Sequence, residues 1–143
     1  MIRKYFVISL LLFAISTSGV FADNLYKIHA KDMGFRSLDY TAVEIERKTR
    51  LSVLRIPGFH SRTAAASRWM MCVYTDIAQK RGFQYWAVAY PAPPSEDVLV
   101  GFPDLQEEKI AQTIGPKFGT TNVLPTMPVS KMIVFCNELK RRQ

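Results

Sequence analysis

The strongest pattern of apolar and polar positions lies in residues 61–90. Ala66, Trp69, Met70, Val73 and Ile77 recur at helical spacing, with Tyr74 at the edge of their face and Arg68, Thr75 and Gln79 opposite. Ser61 or Thr63 can cap the start of this helix. Lys80 and Arg81 fall in its last turn, where cations suit the helix dipole, and Gly82 follows where a left-handed residue is wanted. Residues 83–90 are then dense in strand formers and stop at Pro91. This strand is apolar on both faces, as a central strand should be. Phe83, Tyr85, Ala87 and Ala89 share one face, and Trp86, Val88 and Tyr90 the other. The small Ala87 and Ala89 are expected to admit the helix, which leaves Trp86, Val88 and Tyr90 projecting from the second face as candidate interface anchors.

The flanking segments read as strands and turns. Leu25, Tyr26 and Ile28 suit a short edge strand or a loose arm. Residues 41–46 alternate, with Val43 and Ile45 on one face and Glu44 and Glu46 on the other. Residues 51–56 form the return strand, and their apolar pattern shifts between Val53 and Leu54, which implies a bulge or burial on both faces. Residues 97–102 read as the next strand. Asp104 and Glu107 make a capping box for a short helix to about residue 113. Residues 129–136 read as the last strand, before a basic tail. The expected fold is α+β: a two-layer sandwich, with a mainly antiparallel sheet of about four or five strands, one long helix on one face and a short second helix.

The amino-terminal residues change the picture of compartment. Arg3 and Lys4 precede an apolar run over residues 5–15, and Val20-Phe21-Ala22 suits a signal peptidase. The run is short for a membrane span of about 20 residues. The expected division is therefore a cleaved signal peptide (1–22), an amino-terminal arm (23–38) and one α+β domain (39–143), with no later membrane span. Residues 68–90, preceded by a hairpin and containing Gly82-Phe83-Gln84-Tyr85, resemble small exported bacterial envelope proteins of unknown function. Cys72 and Cys136 are the only cysteines. In an exported chain such a pair is most simply a disulfide, the alternative being two free thiols.

Charge adds a candidate surface. Without Arg3 and Lys4, 17 basic residues face 12 acidic ones, a net charge of +5. That balance favours an anionic surface or an acidic protein as partner, with nucleic acid the least expected in an exported chain. Residues 47–75 contain basic residues and no acids, whereas residues 82–108 contain acids and no bases. Arg55, His60, Arg62 and Arg68, with the free amides of the helix start, form a candidate anion-binding group. The simpler alternative is a solvated basic edge neutralised by the acidic segment.

Candidate chemistry is sparse. His60 and Ser61 are adjacent, but a serine at a helix start normally caps it. No zinc motif, phosphate loop or dinucleotide fingerprint is present, so no metal or cofactor is expected. The expectation is a periplasmic or secreted non-enzymatic protein that binds another macromolecule, possible roles being a subunit of a cell-envelope or secretion assembly. The alternative is a secreted inhibitor or effector acting on an external enzyme or host surface.

Overall fold

The computed structural model of the chain describes residues 24–91, 95–106, 108, 122–123 and 125–143. The expected signal peptide and most of the helix expected from the Asp104 capping box lie outside the described residues. The elements are β1 (Lys27–His29), β2 (Thr41–Lys48), β3 (Leu51–Arg55), α1 (Ala64–Lys80), β4 (Tyr85–Tyr90), β5 (Asp97–Gly101), β6 (Asn122–Val123), β7 (Met127–Pro128) and α2 (Val129–Arg141). The fold is α+β. The described strands pair antiparallel in the order β1-β2-β3-β5-β4-β6, and β7 pairs with the start of β4. The sheet is therefore wider than expected. Of the two alternatives for residues 23–38, the short edge strand forms: β1 pairs with β2, and Tyr26, Ala30, Phe35 and Leu38 are buried in the core.

α1 forms where the pattern places it. Thr63 is its cap, with Oγ1 accepting from the Ala66 amide at 3.1 Å. Gly82 takes φ +79° just beyond its end, a conformation that glycine reaches without a Cβ clash. Ala66, Trp69, Met70, Val73, Tyr74 and Ile77 are all buried. Cys72 and Thr75, which the helical wheel sets toward the polar side, are buried as well. The reason is that α1 has two packed sides, one against the sheet and one against α2.

The faces of β4 are the reverse of those expected. Trp86 and Val88 lie in the core with α1, whereas Ala87 and Ala89 join Leu51, Val53 and Leu99 in a separate cluster. Trp86 Nε1 donates to Thr75 Oγ1 at 3.0 Å, and the Trp86 ring meets Tyr74 edge-on, centroids 5.3 Å apart. Tyr90 stacks on Phe59 at 5.2 Å. Large rings fill the space beneath a helix, and α1 supplies the Trp86 indole with a hydrogen-bond acceptor, whereas the buried Trp69 Nε1 has none among the described residues. Trp86 and Val88 are thus core residues and Tyr90 packs partly buried against that core, so the three do not project from a second face of the sheet.

The β2–β3 hairpin shows a second reversal. Glu44 pairs with Leu54 and Glu46 with Val53, so Ile45 is the extra residue of a bulge. Leu51, Ser52, Val53 and Leu54 are all buried. Both expected features of β3 are therefore present, with the extra residue on its partner strand. Ala42 and Glu44 point inward and Ile45 is 40% exposed. Register decides this: Val43 lies opposite the charged Arg55, and Glu44 opposite the fully buried Leu54.

Residues 129–136 are helical, not a strand. Val129, Met132 and Cys136 are buried, Ile133 and Leu139 partly so, while Val134 is 69% exposed. Those apolar positions fit helical spacing, and Glu138, Leu139, Lys140 and Arg141 are helix formers that extend the element. Cys136 faces α1 and is bonded to Cys72, with Cα atoms 5.7 Å apart and a sequence separation of 64. Closing a loop of that size stabilises the fold by about 4 kcal/mol in the chain-entropy account.

Candidate functional site

At the amino end of α1 the expected anion-binding residues do not converge. Arg55 Nε donates to Asp97 Oδ1 at 2.8 Å, directly across the β3–β5 ladder. The Arg62 guanidinium lies 4.0 Å above the Phe59 ring and 5.3 Å from the Tyr90 ring, and Nη1 donates to the Phe59 carbonyl at 3.2 Å. Burial pushes the Tyr90 phenol above its ordinary pKa; the Tyr74 hydroxyl and the Arg62 charge offset this only in part. Arg68 is exposed on the first turns of α1. The His60 side chain lies outside the described residues.

The acidic segment answers the basic one. Besides the Arg55–Asp97 pair, Arg50 Nη2 donates to both Glu108 oxygens at 2.7 Å and lies 3.5 Å from Asp104. Glu96 accepts from the Gly58 amide at 2.9 Å. Antiparallel pairing of β3 with β5 brings the two oppositely charged segments together. Much of the basic run is consumed by structure.

Ser61, and His29 as the other histidine of the chain, are similarly engaged. Ser61 Oγ donates back to the Gly58 carbonyl at 3.3 Å. His29 Nδ1 accepts from the Lys31 amide at 3.2 Å, which directs its Nε2 proton toward Asp39 at 3.1 Å. A histidine held this way caps a short turn and offers no free base nitrogen. Among the described residues no three metal-ligating side chains come together. Among them, too, no helix is long and apolar enough to cross a membrane.

A different basic group assembles at the carboxyl end of α1. Glu44 is buried and accepts from Ser52 Oγ at 2.6 Å, the Tyr26 amide at 2.9 Å and Arg47 Nη2 at 2.6 Å. Burial alone pushes the Glu44 carboxyl up. The hydrogen bonds from Arg47, Ser52 and the Tyr26 amide, with the Arg47 charge, outweigh it and hold the carboxyl below its ordinary value. Arg81 continues the network: its Nη1 donates to Ser52 Oγ at 2.8 Å and to the Leu51 carbonyl, and its Nη2 to the Lys48 and Thr49 carbonyls. Lys80 Nζ donates to Asp76 at 2.8 Å and sits 5.0 Å from the Tyr26 ring centre. Tyr26 OH also donates to Asp76, at 2.7 Å. Burial, and then the charge and hydrogen bond of Asp76, keep this phenol neutral.

A groove between β4 and α2 has another character. Phe83, Gln84, Tyr85, Pro128, Val129, Ser130 and Ile133 line a space of about 280 Å³, and none of them is charged. Val134, one turn beyond the lining residue Ser130 on α2, is exposed. Sequence reasoning missed this groove because it treated 129–136 as a strand. The helical spacing of Val129, Met132, Ile133 and Cys136 was the available signal.

No family model, curated protein or solved structure matches the chain.

Proposed function

We propose that this chain is an exported, non-enzymatic domain of the cell envelope that binds a protein partner through the groove between β4 and α2, as one subunit of an envelope or secretion assembly. The observation that carries this reading is the uncharged groove wall beside an outward Val134 that is 69% exposed. Such a wall takes an aliphatic or aromatic side chain of another protein, the usual anchor of a protein interface. The amino-terminal apolar run and the Cys72–Cys136 bond support export, because disulfides persist in oxidising compartments. The engagement of Ser61 and His29 by their own turns supports a binding role over hydrolysis.

The test is site-directed photocrosslinking in the native envelope. A crosslinker at Ser130 is expected to give one discrete adduct, lost in Val134→Glu, while one at Arg68 gives none. No adduct at Ser130, or the same adduct from Arg68, removes the groove from consideration.

A further inference from the structure

The cleft at the carboxyl end of α1 is independent of the groove, and nothing in the proposed partner role calls for it. It is lined by Asn24, Tyr26 and Ile77 together with Lys27, Arg47, Lys80 and Arg81. Four of these seven described lining residues are basic, and among the described lining residues none is acidic. They come from three elements: Lys27 on β1, Arg47 on β2, and Lys80 in the last turn of α1 with Arg81 just past its end. Like charges are not brought together by folding without compensation. The described carboxylates that provide it are Glu44, paired to Arg47, and Asp76, paired to Lys80. Both are excluded from the lining. Among the described residues, the lining of the cleft itself therefore carries only basic side chains as its charged groups, of which Lys27 and Lys80 are exposed.

The cations are also positioned. Arg47 is gripped by both oxygens of Glu44. Arg81 is tied to the β2–β3 turn through three backbone carbonyls and Ser52. Lys80 is held between Asp76 and the face of Tyr26. Positioned donors lose less freedom on binding than free lysines and arginines do. The Tyr26 phenol stays neutral and adds no opposing charge. At about 280 Å³ the cleft lies at the lower limit of ligand pockets, suited to a small group and its waters.

We infer that this cleft binds a tetrahedral anionic group, phosphate or sulfate in type, either free or at the end of a lipid headgroup. Lys27 and Lys80 would supply ammonium donors, and Arg47 and Arg81 the surrounding positive field.

The test uses the purified disulfide-bonded protein and amide NMR shifts. Inorganic phosphate is titrated in one arm, at constant ionic strength. Vesicles of phosphatidylglycerol are titrated in the other, with phosphatidylcholine vesicles as control. Saturable shifts at Lys27, Arg47, Lys80 and Arg81 are expected. Both lysines are exposed, so Lys27→Gln with Lys80→Gln should leave the fold intact, confirmed by melting, and should weaken binding about tenfold or more. Arg68→Gln should change nothing. Binding of phosphate alone assigns a free anion, and binding also to the anionic vesicles assigns the headgroup. Shifts that never saturate, or that appear equally around Arg68 and Arg36, overturn the inference. An unchanged affinity in the double lysine variant overturns it as well.

Discussion

The two ends of α1 carry the same kinds of residue and use them differently. At the amino end, Arg55 faces Asp97 across a strand pair, and Arg62 lies on two aromatic rings. At the carboxyl end, Arg47 is paired with a carboxylate that is itself fully buried, and Lys27, Lys80 and Arg81 gather around it. A cation answered by a partly exposed carboxylate directly opposite it contributes to strand pairing and little else. A cation held by a buried carboxylate is fixed in direction and loses less freedom when a ligand meets the group around it. A run of basic residues in sequence therefore says less about a binding surface than the placement of the acids that meet it.

The largest expected effect concerns the seat of α1 between those ends. Trp86→Ala should lower stability by about 4 kcal/mol, because a fully buried indole and its bond to Thr75 are lost. Chemical denaturation measures it. A loss under about 1 kcal/mol would return Trp86 to the surface and undo the face assignment of β4.

Next comes Glu44→Gln, expected to cost about 3 kcal/mol because it strips the buried partner of Arg47. This carboxyl titrates lower in the folded chain than its ordinary value of 4.5. Its ionised form therefore adds stability that is fully present above about pH 4.5 and is lost as pH falls through the lower folded value. Urea melts across the acid range should show that loss in the native protein and a flatter profile in the variant. Equal profiles would place Glu44 in solvent.

Smaller effects belong to the amino end. Arg62→Ala should cost about 1 kcal/mol, the worth of a partly buried cation on aromatic faces. Asp97→Asn should cost the least of the four, since Arg55 is largely in water. If the Asp97 change matched the Glu44 change, the contrast between the two ends would fail.

The same contrast explains how much was legible in the sequence. The helical face of α1, its Gly82 stop, the strands around it and the cysteine pair follow from local periodicity and composition, and the structure has them. Three features depend on what lies across the sheet. Glu44 turns inward because its partner is Leu54 and because Arg47 and Ser52 can satisfy it. Trp86 goes under α1 because Thr75 offers an oxygen there. Residues 129–136 coil because their β-branched composition yields to an amphipathic spacing that suits α1 and the Cys72 bond. Of the anion-binding group named from sequence, Arg55 and Arg62 are taken by structural partners. The cleft residues Lys27, Arg47, Lys80 and Arg81 come from segments that only the folded topology joins.

The proposed anion site lies at the carboxyl end of α1, with Lys27 and Lys80 as its donors. Crystals of the disulfide-bonded protein soaked in selenate, a sulfate isostere with anomalous signal, address it most directly. The account predicts a peak in the cleft within contact of Lys27 and Lys80, absent when both are changed to glutamine. A peak at the first amides of α1 beside Arg62 and Arg68, with an empty cleft, would contradict it.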